Sequence, residues 1–272
     1  MNLVLFDLGG TLIDDPFEDV LRMIHSDVLA EFKNRKLEEE AVTEFLVCWR
    51  GANLKTDYPF ASHFLQEETW IAEALMNLHR ARAIPPVQEI PLLSLTILKR
   101  YRELASVQIG NQPQLTALRQ LLEWLKSTGT VVGVASNDRE FATRTMLTWA
   151  NLARFMEWVF TSEGLSRKYA KAEKPAPEFF HAVFSELNRP LGEWDRVFYV
   201  GDSEKNDIIP ANSLGIRTVR FLNKGNRDNA SWLDTTMASL ADYQCTERDQ
   251  LLDVFRKALN DPKGKSGTVV PG

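Results

Sequence analysis

Residues 3–11, which read LVLFDLGGT, decide how this chain is expected to fold. The four apolar residues Leu3–Phe6 have the length and continuity of a strand that is buried on both faces of a sheet. Asp7 follows that strand directly, and a Gly-Gly turn leads from it to Thr11. Ligands bind at the carboxyl ends of parallel strands, so this stretch predicts a site at one edge of a sheet.

The segment that follows the turn has a helical pattern. Between Phe17 and Ser106, apolar residues recur at three- and four-residue spacing, and no segment alternates as a strand would. The predicted amphipathic helices lie at 20–32, 42–49, 64–78 and 92–104, and prolines at 59 and 85–86 separate them. The expected domains are a helical insert over 15–106, a core formed by 1–14 and 107–260, and a disordered tail at 261–272, which is rich in Gly, Pro and Lys.

From Pro113 onward, helix-like and strand-like patterns alternate. The predicted strands lie at 130–135, 158–161, 197–200 and 217–221. The predicted helices lie at 115–125, 140–155 and 177–187, and a further helix ends at Gly215. Strands that alternate with helices indicate right-handed crossovers. The expected fold class is therefore α/β, a Rossmann-like, mainly parallel sheet with an inserted α-helical domain.

Composition argues against several classes of partner. A net charge of −5 and a pI of about 5.5 argue against nucleic acid or an anionic membrane surface. No apolar run approaches the ~20 residues that a membrane span needs. The two cysteines, Cys48 and Cys245, form no CxxC pattern, which is typical of a protein in a reducing compartment. The chain enters its first strand without a signal-like segment, so we expect a cytoplasmic protein.

Polar side chains at the ends of the predicted strands form the candidate site. They are Asp7, Thr11, Ser136, Asn137, Asp202 and Asp207, joined by Lys174 from a loop that leads into a helix. Carboxylates that share a site repel one another unless a cation holds them, and Mg²⁺ prefers oxygen ligands. Hydroxyl and amide groups, backbone N–H groups and a lysine suit a phosphoryl group.

Four motifs, in this order, resemble those of the haloacid dehalogenase (HAD) superfamily of phosphohydrolases. They read FDLGGTL at 6–12, VASN at 134–137, KPAP at 174–177 and GDSEKNDI at 201–208. The resemblance implies the HAD fold, with the helical insert as a C1-type cap that closes over the substrate. It covers residues 3 to about 260.

The resemblance also implies a mechanism. Asp7 would attack phosphorus to form an aspartyl-phosphate, and Lys174 would stabilise both the nucleophile and the incoming phosphate. The implied Mg²⁺ ligands are Asp7, the backbone carbonyl of Gly9, Asp202, and Asp207 directly or through water. The implied phosphate-binding residues are Thr11, Ser136 and Asn137. The expected function is a Mg²⁺-dependent phosphohydrolase that acts on a small phosphorylated metabolite.

Gly9 departs from the family pattern, which has an aspartate two residues after the nucleophile. That aspartate protonates the leaving oxygen and then activates water, and losing such help costs about 10²–10⁴ in rate. Three outcomes fit: a substrate with a good leaving group, such as an acyl or anomeric phosphate; a substitute acid, with Asp14, Asp15 or a cap residue as candidates; or a slow or inactive relative that binds phosphorylated ligands. Asp14 and Asp15 are otherwise predicted to cap the first helix of the insert.

A 2-haloacid dehalogenase, in which Asp7 attacks carbon, is a further alternative, because family members with that chemistry also lack the second aspartate. The last motif argues against it, since GDSEKNDI resembles the phosphatase form.

Overall fold

The computed structural model describes residues 1–35, 37–54, 63–222 and 239–261, and the chain divides into two units. One unit comprises Met1–Asp14 and Asn111–Gly272, and the other comprises Asp15–Gly110. The second junction follows residue 110 rather than 106, because a long helix continues to Gly110. The segment 262–272, for which the sequence predicts disorder, lies outside the described residues.

Six parallel strands form the sheet of the first unit. They are β1 (Asn2–Phe6), β2 (Val131–Ser136), β3 (Trp158–Thr161), β4 (Arg196–Gly201), β5 (Arg217–Phe221) and β6 (Tyr243–Cys245). Their order in the sheet is β3-β2-β1-β4-β5-β6, and every pairing is parallel. This confirms the predicted α/β fold class. β1 lies at the point where the strand order reverses, which is where α/β sheets bind ligands.

Packing on both faces explains why β1 is a continuous apolar run. Leu3–Phe6 are fully buried, and successive side chains of a strand point to opposite faces. On one face, Leu3 and Leu5 belong to a cluster with Phe180. On the other face, Phe6 contacts Phe255, with ring centroids 6.3 Å apart. Helices therefore cover both faces of the strand that carries Asp7 at its end.

Among the described residues, the helices of this unit are α6 (Leu115–Ser127), α7 (Glu140–Trp149), α8 (Ser162–Ser166), α9 (Glu178–Glu186), α10 (Ile209–Ser213) and α11 (Gln250–Asn260). The prediction that a helix continues to residue 155 was wrong. α7 ends at Trp149 because Asn151 adopts a left-handed φ of 54°, a conformation that terminates helices. A separate 3₁₀ turn covers Ala153–Phe155.

The second unit is helical, as predicted. Its helices among the described residues are α1 (Phe17–Met23), α2 (His25–Asn34), α3 (Glu39–Leu54), α4 (His63–Arg82) and α5 (Ile90–Gly110), and a 3₁₀ turn, Val87–Glu89, precedes α5. The predicted stretch 20–32 forms two helices that meet at Ile24. Trp49 is fully buried in an aromatic core, with its ring 5.4 Å from Tyr101 and 6.0 Å from Phe17 between centroids.

Across the described ranges of both units, no helix combines the length and apolar character that a membrane span requires.

Candidate active site

Three aspartates meet at the carboxyl edge of the central strands. Asp7 directly follows β1, and Asp202 directly follows β4, the strand that pairs with β1. Asp207 lies in one π-helical turn, Glu204–Ile208, a geometry that recurs at functional sites. All three are buried, and one carboxylate oxygen from each lies within 4.8 Å of the others. The structure thus brings together the three aspartates that the sequence predicts as metal ligands.

The ammonium of Lys174 lies between two of these carboxylates. Its Nζ donates hydrogen bonds to Asp7 Oδ1 and Asp207 Oδ1, each 2.6 Å long. A third hydrogen bond, 2.8 Å long, goes to the phenolic oxygen of Tyr199. The Lys174 side chain is only 3% exposed, so all three of its protons go to buried partners. The predicted lysine is therefore in contact with the predicted nucleophile.

Burial and neighbouring charges shift the pKa values of this cluster. Burial raises the pKa of Asp7 well above its usual range; Lys174 opposes the rise, while Asp207 and Asp202 add to it. Burial alone would lower the pKa of Lys174, but Asp207 and Asp7 outweigh burial and hold that pKa well above its usual value. Three buried carboxylates thus lie close together, and the Lys174 ammonium binds two of them. Such a set of oxygen donors fits a divalent cation such as Mg²⁺.

Two glycines make room for the aspartates. A Cβ at Gly10 would lie 2.2 Å from Asp202 Oδ2, and a Cβ at Gly201 would lie 2.4 Å from Asp207 Cγ. Gly10 also has a left-handed φ of +73°, which glycine adopts without strain. Gly9 differs from both, because it is exposed and no heavy atom of the described residues lies within 4 Å of a Cβ placed there. The position of the missing aspartate therefore has space for a side chain.

The predicted phosphate-binding side chains lie in three different environments. The Thr11 hydroxyl is buried and makes no hydrogen bond to any residue that the structure describes. Ser136 Oγ donates to Asp138 Oδ2 at 2.9 Å. The Asn137 amide is engaged twice by the Lys174 backbone, donating to its carbonyl and accepting from its N–H at 2.8 Å each. Asn137 therefore holds the loop that carries Lys174 in place.

Tyr199 also belongs to the cluster, although no motif in the sequence indicates it. Its hydroxyl donates to the Ala135 carbonyl at 2.7 Å and accepts from Lys174 Nζ. Burial raises its pKa well above the usual value, so the phenol stays protonated. A tyrosine within a strand is typical of a packed core. The one available signal was its position, three residues before Asp202 in an otherwise apolar strand.

Asp14 and Asp15 have separate partners. Asp15 Oδ1 accepts a hydrogen bond from the Phe17 N–H at 2.9 Å, but the N-cap residue of α1 is Pro16, so Asp15 lies one residue before the predicted cap position. For Asp14 the prediction of a helix cap was wrong, because its carboxylate binds the guanidinium of Arg248 at 2.6 Å and the side-chain amide of Gln114 at 2.9 Å. No sequence pattern indicates a role for Arg248, since nothing local distinguishes it from a surface arginine.

Comparison with known proteins gives matches consistent with this geometry. A family model described as haloacid dehalogenase-like hydrolase matches residues 1–215. Glyceraldehyde 3-phosphate phosphatase of Methanocaldococcus jannaschii is 27% identical over 150 residues, which cover 55% of this chain and 59% of that protein. The chain thus spans less than two thirds of the length of this relative.

Two solved structures illustrate the similarity in fold. The 2-haloacid dehalogenase of Pseudomonas syringae pv. Tomato DC3000 has a TM-score of 0.61 and 20% identity, over 95% of this chain and 99% of that one. A HAD phosphatase from Thermococcus onnurineus has a TM-score of 0.52 and 22% identity, over 98% and 100% of the two chains. The fold is therefore shared with both chemistries and does not by itself choose between them.

Proposed function

The chain belongs to the haloacid dehalogenase-like hydrolases, and on that basis we propose that it is a Mg²⁺-dependent phosphohydrolase of small phosphorylated metabolites. The observation that carries the proposal is the buried cluster of Asp7, Asp202 and Asp207 around Lys174. A nucleophile that attacks phosphorus must approach an anion, and this cluster supplies a carboxylate, an ammonium and oxygen donors for a cation in one place. The similarity to a phosphatase supports the same assignment.

The residues that would hold Mg²⁺ are Asp7, Asp202, Asp207 and the backbone carbonyl of Gly9. That carbonyl accepts no hydrogen bond from the residues described in the structure, so it has a lone pair for a cation. Bound Mg²⁺ supplies positive charge that offsets the repulsion between the Asp7 carboxylate and a phosphate dianion.

Asp7 acts as the nucleophile in this proposal. One of its oxygens forms a bond to phosphorus while the bond from phosphorus to the leaving oxygen breaks, which gives an aspartyl-phosphate. Water then attacks phosphorus, releasing inorganic phosphate and restoring the carboxylate. Lys174 fixes the Asp7 carboxylate through its 2.6 Å ion pair and faces the charge that develops on the phosphoryl oxygens.

Because residue 9 is glycine, the leaving oxygen lacks the aspartate that usually donates a proton to it. Asp14 is a poor substitute, because both of its carboxylate oxygens already bind Arg248. We therefore expect faster turnover of substrates whose leaving oxygen needs little protonation, such as acyl phosphates, than of alkyl phosphates.

A phosphatase screen with Mg²⁺ tests this function. We expect the wild-type protein to release phosphate and Asp7→Asn to fall to background, because an amide oxygen is a far weaker nucleophile. Asp253→Asn, the same chemical change at an exposed position of α11, is the control and should keep the wild-type rate. Phosphate release by Asp7→Asn at the wild-type rate would contradict the assignment.

Gly9→Asp, assayed in the same screen, measures how much the missing carboxylate lowers the rate of phosphate release. A Cβ at position 9 would meet no described heavy atom within 4 Å, apart from its chain neighbours. We expect alkyl phosphate hydrolysis to rise by up to about 10²–10⁴, with little change for acyl phosphates. No rise for alkyl phosphates would mean that another group already supplies the proton.

The absence of a carboxylate at Gly9 also favours a second candidate, a 2-haloacid dehalogenase. This function predicts halide release from a 2-haloacid in the presence of a metal chelator. Halide release without phosphate release would replace the phosphatase proposal. Mg²⁺-dependent binding of phosphate without any turnover would instead favour a non-catalytic relative.

A further inference from the structure

Arg248 connects the C-terminal part of the chain with the turn that follows Asp7. It lies between β6 and α11, outside the residues 1–215 that match the family model. Its side chain is 7% exposed, and its guanidinium lies over the ring of Phe221, 4.5 Å from the centroid. Burying a charged guanidinium costs free energy unless hydrogen bonds and opposite charges offset that cost. The groups that Arg248 contacts therefore indicate its role.

The groups that accept hydrogen bonds from Arg248 among the described residues lie in the turn that leads out of β1. Arg248 Nε donates to the Thr11 carbonyl at 2.6 Å, and Nη2 donates to the Gly10 carbonyl at 3.1 Å. The same guanidinium binds both carboxylate oxygens of Asp14, at 2.6 and 3.2 Å. One side chain thus holds two consecutive carbonyls and the acidic residue at the end of the turn. Lysine could not reproduce this, because it lacks the planar fork of donors.

The turn also has internal hydrogen bonds, and at its end the side chains of Gln112 and Gln114 bind Asp14. Gly10 N–H donates to the Ile13 carbonyl at 2.9 Å, and the N–H groups of Leu12 and Ile13 both donate to the Leu8 carbonyl at 3.0 Å. Together with Arg248, these bonds occupy the carbonyls on both sides of Gly9. The Gly9 carbonyl itself accepts none from the described part of the chain.

We propose that Arg248, held by Asp14, is a positioning residue that keeps this turn in the shape in which the Gly9 carbonyl and Asp7 bind a divalent cation. This inference rests on the proposed function, since it concerns the same cation. Arg248 touches neither of these two cation-binding groups directly. It acts through the Gly10 and Thr11 carbonyls, whose orientation sets that of the neighbouring Gly9 peptide.

Arg248→Met tests the inference against a matched control, Arg217→Met. Arg217 is also mostly buried, stacks on Phe198 and bonds Asp261, but it contacts no residue of the turn. We expect Arg248→Met to weaken Mg²⁺ binding, measured by calorimetry on the full chain, by about 10–100-fold, as is usual when an outer partner of a metal ligand is lost. Arg217→Met should lose a similar amount of thermal stability and keep the wild-type Mg²⁺ affinity.

Hydrogen exchange of the amides in residues 8–14 gives a readout that needs neither metal nor substrate. Exchange should become faster in Arg248→Met and stay at the wild-type rate in Arg217→Met. If Arg248→Met does not fold, Arg248→Lys and Asp14→Asn replace it, and both should change Mg²⁺ affinity and exchange in the same direction by less.

Unchanged Mg²⁺ affinity and unchanged exchange in a folded Arg248 variant would overturn the inference. A wild-type protein that neither binds Mg²⁺ nor releases phosphate would instead overturn the proposed function. In that case, the exchange rates would still report whether Arg248 holds the turn.

Discussion

At the scale of single residues, the site depends on the absence of side chains as much as on their presence. The Asp202 carboxylate occupies the volume that a Cβ at Gly10 would need, and the Asp207 side chain occupies the volume beside Gly201. Each glycine therefore allows the chain to bring an acidic side chain close to a neighbouring backbone segment. Gly9, one residue earlier, has no such neighbour among the described residues. The absence of a side chain at Gly9 therefore removes a catalytic carboxylate and is not required by packing.

Gly10→Ala should lose both stability and Mg²⁺ affinity. The left-handed φ of +73° costs a non-glycine residue about 1–2 kcal/mol, and the new methyl group must push Asp202 aside. Gly129→Ala is the control, because Gly129 has a φ of +70° and no described heavy atom within 4 Å of its Cβ position. Chemical unfolding should show a loss in both variants, larger in Gly10→Ala because of the added clash with Asp202, whereas calorimetry should show weaker Mg²⁺ binding in Gly10→Ala alone. Equal Mg²⁺ affinity in the two variants would show that Mg²⁺ binding does not depend on the position of the Asp202 carboxylate.

At the scale of secondary-structure elements, β4 supplies more of the site than its final motif suggests. It carries Tyr199 within the strand and Asp202 directly after it, and it pairs with β1 in a register that sets Tyr199 opposite Leu5. The edge-to-face contact of Tyr199 with Phe180 of α9, 4.9 Å between centroids, orients the ring. Its hydroxyl then reaches Lys174, so a core strand positions the lysine of the active site.

Tyr199→Phe should slow the chemical step. The variant removes one of three acceptors of the Lys174 ammonium and leaves the Ala135 carbonyl unbonded, at a cost of about 0.5–1.5 kcal/mol in the free energy of unfolding. We expect kcat to fall while KM changes little, since the hydroxyl contacts Lys174 rather than the substrate. Tyr243→Phe, which removes a hydroxyl bonded to Arg217 near the end of the chain, should lose comparable stability with normal kinetics. Identical kinetics in both variants would rule out a positioning role for Tyr199.

At the scale of the whole molecule, folding brings buried acidic groups together at the carboxyl edge of the sheet. Asp7, Asp202 and Asp207 come from positions far apart in the chain, and the Lys174 ammonium pairs with Asp7 and Asp207. Mutual repulsion of buried carboxylates opposes folding, and a bound cation would convert it into attraction.

Mg²⁺ should therefore raise the stability of the folded chain. At a hundredfold excess over Kd, the free energy of unfolding should increase by about 2.7 kcal/mol, because the ion binds the folded state and not the unfolded one. Urea unfolding with and without Mg²⁺ measures the change. Asp202→Asn should lose the response to Mg²⁺, while exposed Asp253→Asn should keep it. A wild-type midpoint that does not move with Mg²⁺ would contradict a metal site in this cluster.

The order of the secondary-structure elements and the fold class were predictable from local patterns in the sequence. Apolar periodicity is a local property, so the buried run Leu3–Phe6 and the alternation after Pro113 were sufficient to predict a parallel sheet interrupted by helices. The motifs at the strand ends predicted which aspartates and which lysine form the candidate site. Helix ends were less predictable, because the end of α7 depends on the left-handed conformation of Asn151.

The hydrogen-bond partners of these groups, by contrast, depend on how the chain packs in three dimensions. Asn137 engages the Lys174 backbone, Tyr199 completes the hydrogen bonding of the lysine, and Arg248 reaches the turn after Asp7. Arg248 and Thr11 are 237 positions apart, and no local pattern encodes such a contact. Buried polar groups must find partners wherever the fold brings them, so these pairings follow from packing and not from sequence spacing.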